Sequence, residues 1–319
     1  MKTLQRLLAA ILGVTMMAAA HAAWPDKPVR MYVGFAPGGA TDLLARLYAK
    51  KLGDRFNQTF IVENRPGAGG NIAIQNLTQA PADGYTIAMA ANYVAANAAM
   101  QRNPYDWQRD LAPIGMVAST PNILVVPAAS PLTSVADLIQ RARQAPGTLT
   151  FGSPGVGSSI HLAGELFKVM ADVKMTHVPY RGVSPAEVDL VSGIIDTMFG
   201  SVSTAIPLVQ ADKLKALAVT GRERIKALPD LPTIEESGLQ GYDVGATYFL
   251  AAPAGLPAPV SQALVEAVAA INQQADVREF MDRLHARLLT GGPDVATTFL
   301  AAEERKWQGV VTATGLTIN

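Results

Sequence analysis

The chain has 319 residues, 49% of them apolar, with 26 basic and 26 acidic side chains and no cysteine. The missing cysteines exclude a disulfide framework, a thiolate nucleophile, a cysteine-ligated metal and lipid attachment at an N-terminal cysteine. The charge balance, with no basic stripe, gives no reason to expect nucleic acid as a partner. Lys2 and Arg6 precede an uncharged run from Leu7 to Ala20, and Ala20-His21-Ala22 has the small-x-small form of a cleavage site. Residues 1–22 are therefore expected to be a signal peptide, with the mature protein beginning at Ala23 and free in the periplasm. The run is shorter than the ~20 residues a membrane-spanning helix needs. The chain beyond Ala22 is long enough that two lobes are expected, since single cores stop growing at about 250–300 residues.

In chain order, Val29–Phe35 reads as a buried strand that passes through a glycine loop into a helix over Thr41–Phe56. Phe60–Val62 is a second strand, Pro66–Gly70 a second glycine loop, and a helix begins near Asn71. Thr86–Ala91 is a third strand. A second set opens at Ile123–Val126. Ser134 is expected to cap a helix through Arg143, with Asp137 placed as in a capping box. Thr148–Phe151 is a strand whose glycine loop leads into a helix over Ser159–Ala171. Strands are expected at Met175–Val178, Ile195–Phe199, Leu214–Val219 and Tyr248–Ala252. The tail reads as helical over Pro259–Gln274, Val277–Leu284 and Pro293–Gly309. The strand–loop–helix repetition predicts an α/β fold with a parallel sheet covered on both faces.

Three loops bring glycines to a helix start: Pro37–Asp42, Pro66–Asn71 and Gly152–Ser159. Unpaired N–H groups and the positive end of the helix dipole make such a start suited to an anion. Ligands collect at the carboxyl ends of strands in sheets of this kind, so two of the loops can face each other across a cleft. In the third loop Ser158 stands where a nucleotide-binding loop needs lysine, and Gly155-Val156-Gly157 lacks the further glycine of a dinucleotide fingerprint. Its serines suit a compact oxyanion such as a carboxylate. Asp42 reads first as a first-turn acid favoured by the dipole. His161 reads first as a helix-start histidine bonded to backbone, and His177 and His285 as structural. No histidine array has metal-ligand spacing, and no Gly-x-Ser-x-Gly elbow occurs. Glu303-Glu304 with Arg305-Lys306 reads as solvated charge. No catalytic residue, metal or cofactor is expected.

Trp24-Pro25, Val33–Asp42, Glu63–Asn71, Phe151–Ser153, Gly157–His161, Val178–Gly182, Leu214–Val219, Leu228–Thr233 and Trp307 occur in an ordered set across the expected mature chain. This set resembles the Bug family, the extracytoplasmic receptors of tripartite tricarboxylate transporters. The resemblance implies a two-lobe periplasmic binding protein of the type II-like Venus flytrap form, with two interlobe crossovers. Lobe one is placed at 24–124 plus 247–319 and lobe two at 125–246. It further implies a monomer that captures a small organic acid and hands it to membrane subunits of a secondary transporter. Matching positions imply ligand contacts near Phe35, Gly39, Ala40, Thr41 and Asp42, at Asn92, and at Ser153, Gly157, Ser158, Ser159 and His161. Tyr180, Ser201 and Tyr248 would wall the cleft. Gly200-Ser201 stands where relatives often carry an aspartate, which removes selection for an amino group. Leu256 replaces a common threonine, and His285-Ala286-Arg287 departs from the usual glycine-alanine turn. Dicarboxylates, aromatic acids, amino acids and nicotinate-like acids all stay open as ligands. A receptor that serves a signalling partner, or an α/β enzyme acting on a carboxylate, is the alternative.

Overall fold

The computed structural model describes residues 24–100 and 103–314; the expected signal peptide, residues 1–22, lies outside them. Strand β1 (Val29–Val33) enters helix α1 (Ala40–Phe56). Strand β2 (Phe60–Asn64) leads through a 3-10 turn at Ala68–Gly70 into α2 (Asn71–Thr78), and β3 (Thr86–Ala91) follows. β1 lies parallel to β2 and β3, between them. Every residue of β3 is buried, as a strand covered on both faces requires.

The expectation of a parallel sheet is corrected at its centre. β4 (Leu111–Pro127) is one strand of 17 residues, and β9 (Gly245–Pro253) pairs antiparallel with both β3 and β4. The remaining strands are β5 (Thr150–Ser153), β6 (Thr176–Pro179), β7 (Thr197–Ser201), β8 (Leu214–Val219) and β10 (Arg287–Leu288). The sheet order is β2-β1-β3-β9-β4-β7-β5-β6, with β8 and β10 also on β4. Parallel strands therefore flank an antiparallel middle. The reason is topological: β4 carries the chain from one set of strands to the other, and β9 brings it back in the opposite direction. Up to Pro121, β4 pairs with β9; from Asn122 it pairs with β7 and, from Ile123, with β8.

Two hydrophobic cores sit on either side of this handover. Val29, Leu44, Tyr48, Ile87, Phe249 and Leu264 belong to the first. Leu124, Leu138, Phe151, Phe167, Phe199 and Tyr242 belong to the second. Between them runs α3 (Tyr93–Ala99), followed by the short α4 (Trp107–Asp110). The second core is covered by α5 (Val135–Gln144), α6 (Ser159–Ala171), α7 (Val183–Val191) and α8 (Val202–Gln210). Ser134 caps α5 as expected, accepting the Asp137 N–H at 3.1 Å, but the Asp137 carboxylate reaches Thr133 N–H at 2.9 Å, one residue before a capping-box partner.

The tail forms α9 (Ala258–Asn272), α10 (Ala275–Arg283) and α11 (Pro293–Thr314). The boundary at His285 falls where that residue takes φ of 52°, after which Arg287 and Leu288 pair with β4 as β10. α11 spans both cores, with Ala296 and Leu300 in the first and Trp307 in the second. Glu303 and Glu304 on this helix are not the solvated charges expected. Glu303 accepts the Asn92 amide at 2.8 Å, and Glu304 accepts the Trp107 indole N–H at 3.0 Å. Trp307 is 1% exposed. Truncating so large a buried side chain costs about 3–5 kcal/mol. Trp307→Ala is expected to lower the denaturant midpoint of unfolding by a corresponding amount, and an unchanged midpoint would show that α11 does not fasten the second core.

Candidate ligand-binding site between the lobes

A cavity of about 40 Å³ lies where the two cores meet. Phe35, Gly39, Ala40 and Thr41 reach it from the β1–α1 loop, and Pro154, Ser158, Ser159 and Ile160 from the β5–α6 loop. Val183 reaches it from the first position of α7, and Ser201 from the N-cap of α8. Four helices of nine or more residues thus point their N-termini at one small space. First-turn N–H groups have no partner within their own helix. Gly39 and Gly182 add no side-chain cap to α1 and α7. The summed effect is a positive potential built from backbone, since each N-terminus carries about half a unit charge. None of the residues lining the cavity is Asp, Glu, Lys, Arg or His.

Eight of the fourteen expected site residues line the cavity: Phe35, Gly39, Ala40, Thr41, Ser158, Ser159, Ser201 and Tyr248. Ser158 also shapes its own loop. Its Oγ donates to Gly155 O at 2.7 Å and accepts His161 N–H at 3.3 Å. Burial raises the Tyr248 hydroxyl pKa, partly offset by hydrogen bonds with Thr120 and Thr41.

The other six residues lie around the cavity without lining it. Asp42 is buried, and burial pushes its pKa up. Hydrogen bonds from Arg46, Asn64 and the Gly38 N–H outweigh this and hold the carboxyl below its usual value. It fixes the glycine loop from behind. Asn92 donates to Gly245 O and Glu303 and accepts Thr247 N–H at 3.2 Å, which ties the end of β3 to β9 and α11. Gly157 donates its N–H to His161 Nδ1 at 3.1 Å and accepts from Asn97 at 3.2 Å. Tyr180 donates its hydroxyl to Asp189 at 2.7 Å; burial first, then that carboxylate, pushes its pKa up to about 12.

Ser153 sits one layer back, with no exposed surface, and its Oγ lies 2.6 Å from His177 Nε2. His161 packs on His177 with ring centres 4.1 Å apart. The sequence shows no such Ser–His pair because 24 residues separate the two. The pair is nonetheless structural. Ser153 Oγ is engaged with Gly155 O and N–H. Burial, with Lys168 adding to it, lowers the His177 pKa to about 4, so the ring is neutral.

Two polar lining residues escape a reading of the sequence, Tyr93 and Asn122. Tyr93 lies two residues past the end of the third strand, close to where the strand-end rule points. Asn122 ends the polar interruption Ser119-Thr120-Pro121-Asn122 in an otherwise apolar strand, which is the only sequence signal it leaves.

The lobes touch around the cavity through a backbone bond and a side-chain amide. Ala36 N–H donates to Arg181 O at 3.3 Å, and Asn97 Nδ2 reaches Gly157 O. Gly69, at φ of 62°, packs so closely that a Cβ there would overlap the Val156 carbonyl oxygen.

The fold and site define a two-lobe solute-binding protein of the periplasmic class. The family model described as tripartite tricarboxylate transporter family receptor matches residues 44–316. The protein of the tcbD–tcbE intergenic region of Pseudomonas sp. strain P51 is 37% identical over 299 residues, covering 93% of this chain and 89% of that one. The structure of R. palustris Rpa4515 with adipate is 36% identical with a TM-score of 0.87, covering 92% of this chain and 99% of its own. MatC from Rhodopseudomonas palustris with bound malate is 30% identical with a TM-score of 0.86, covering 90% and 100%. The chain belongs to the tripartite tricarboxylate transporter receptor family, as the Bug resemblance implied.

Gly69→Leu should hold the lobes apart and raise the radius of gyration in small-angle scattering; an unchanged radius would mean that the loop gives way. Glu187, behind the α7 start, offers a test by pH. Burial raises its pKa from 4.5 to about 7, with only partial relief from the Thr204 hydroxyl. The folded state then binds the proton more tightly than the unfolded one, so stability falls as pH rises from about 4.5 to 7. Glu187→Gln is expected to stabilise by about 2 kcal/mol at pH 8 and by little at pH 4. Denaturant unfolding of both proteins at the two pH values measures the difference. An equal effect at both would remove the titration as its cause.

Proposed function

We propose that the protein is a periplasmic receptor that captures a small organic carboxylate between its lobes and delivers it to the membrane subunits of a tripartite tricarboxylate transporter. It acts as a monomer, is exported by a signal peptide at residues 1–22, and divides into lobes at 24–124 plus 247–319 and 125–246. The observation that carries this reading is the convergence of four helix N-termini on a cavity with no charged side chain in its lining. Such a space favours an anion through backbone dipoles and N–H groups. It supplies no acid–base pair for turnover, which supports binding over catalysis. The adipate of Rpa4515 and the malate of MatC support a carboxylate as the anion.

Binding works through closure. The α1 start belongs to the first core and the α6, α7 and α8 starts to the second, so one carboxylate that meets both sets favours the closed arrangement. It does so only to the extent that it binds that arrangement better.

A thermal-shift screen of the mature protein, refolded to strip carried-over ligand, against mono- and dicarboxylates, aromatic acids and amino acids tests the reading. At least one acid should raise the melting temperature in a concentration-dependent way, by mass action on the native state. Ser159→Trp, which fills the space beside the α6 start, should abolish that shift while melting normally without ligand. A folded protein that responds to no acid would overturn the assignment.

A further inference from the structure

Two residues that line the cavity each carry a buried donor with no partner. Tyr93 and Asn122 are 2% exposed each, and neither Tyr93 Oη nor Asn122 Nδ2 meets a hydrogen-bond acceptor within the protein. Buried polar groups in native proteins are paired in the large majority, and each exception calls for a cause. Of the six such side-chain atoms among the described residues, those of Tyr93 and Asn122 belong to residues that line this cavity, while those of Trp24, Asn97, Asn103 and Trp307 lie outside its lining.

Neither residue is loosely held. Asn122 N–H donates to Thr220 Oγ1 at 2.7 Å, and Thr220 N–H donates back to Asn122 O at 3.0 Å. The Thr220 hydroxyl also reaches Val244 O at 2.6 Å, so Asn122 is tied to the returning chain as well. Its β partner is Ser201, itself a lining residue. The side chain is thus presented from a fixed backbone at the handover between the two cores. Tyr93 is held by Phe35, edge to face with centroids 5.7 Å apart, and by Gly70 against its ring.

From this geometry we infer that Tyr93 and Asn122 are specificity-determining donors that receive the second polar end of a two-ended organic acid. Its first carboxylate lies on the helix starts. This deepens the carboxylate-receptor reading and rests on it. The ligand class follows from a count of donors and acceptors. Helix N–H groups, the amide and the hydroxyls offer donors, and no lining carboxylate is available to pair with an ammonium. Asp42, the nearest acid in sequence, is committed to Arg46 and Asn64. The site takes dicarboxylates with an uncharged connecting chain and rejects amino acids of equal length, because an ammonium would be desolvated without a counter-charge.

Isothermal titration of the stripped protein with succinate, malate, adipate, butyrate, aspartate and glutamate tests this. The wild type should bind at least one dicarboxylate, and bind it about 100-fold or more tighter than aspartate or glutamate. Hydrogen bonds to charged groups set the scale for removing one donor. Tyr93→Phe and Asn122→Ala should each weaken the dicarboxylate about tenfold or more while leaving butyrate within about threefold. Asn122→Asp should reverse the selectivity, losing the dicarboxylate and gaining aspartate. Unladen melting temperatures show whether each variant folds, and Tyr93→Phe, which removes one oxygen, keeps the test open if an Asn122 variant fails. Equal dicarboxylate affinity in folded Tyr93→Phe and Asn122→Ala, a wild type that prefers aspartate, or one that binds only butyrate would overturn this inference and leave the receptor reading standing. A wild type that binds none of the six acids would overturn this inference, and only the further absence of any response in the wider acid screen would overturn the receptor reading as well.

Discussion

β4 is the constraint on which the rest of the molecule hangs. At about 3.3 Å per residue its 17 residues span more than 50 Å, several times the usual strand. It pairs with β9 along its first part and with β7 and β8 along its last. No residue of loop separates the two hydrophobic cores at this crossing. The handover falls between Pro121, which is opposite Gly245, and Asn122, which is opposite Ser201. Because β9 must return antiparallel beside β4, the parallel units are pushed outward and their carboxyl ends are turned toward each other. The cavity is the space that this arrangement leaves.

That placement explains why helix starts from both cores meet there. A parallel strand followed by a helix puts the helix N-terminus at the strand's carboxyl end. β1–α1 does so on one side, and β5–α6 and β7–α8 on the other. α11 and Asn92 reinforce the geometry from behind. Asn92 joins β3, β9 and α11 through three hydrogen bonds, and Trp307 carries α11 into the second core. Relative movement of the lobes must therefore bend β4, β9 and α11 together, and cannot be taken up by a linker.

Much of this is legible in the sequence where physics leaves a periodic mark. Thr86–Ala91, Ser159–Ala171 and Leu214–Val219 coincide with β3, α6 and β8, because apolar runs and cap residues bound them sharply. β4 is legible only at Ile123–Val126. Its earlier residues are broken by Pro113, Gly115 and Pro121, and the register slips between Pro113 and Gly115. α7 and α8 leave no clear signal, with Pro185 inside the first and Pro207 inside the second. Nor does α3, which is nearly all buried and so has no polar face to set a period. The first and third glycine loops are legible as loops that deliver helix starts, and both line the cavity. Asp42, Asn92, Ser153 and His161, which the family resemblance sets against the ligand, lie outside that lining. Sequence gives the distance of a residue from a loop along the chain, but not the side of the loop on which its side chain lies.

The chemistry of such a site bears on how receptors of this family diverge. When the anion is held by helix starts and hydroxyls, charge recognition is built into the fold and survives wide changes in side chains. Selectivity must then come from the few positions where a side chain adds a donor, an acceptor or volume to the common frame. Here those positions are not the glycine loops that make the family recognisable. They are Tyr93, shortly after β3, whose ring packs on Phe35 and Gly70, and Asn122 at the handover in β4, whose backbone is fixed by Thr220 and by pairing with Ser201. Ser201 is a third such place, since it sits opposite Asn122 and follows Gly200. A carboxylate at any of the three would meet the ligand's far end and select for an ammonium. An amide, a phenol and a hydroxyl select instead for oxygen. The frame sets that an anion binds, and these three side chains set what the rest of it must look like.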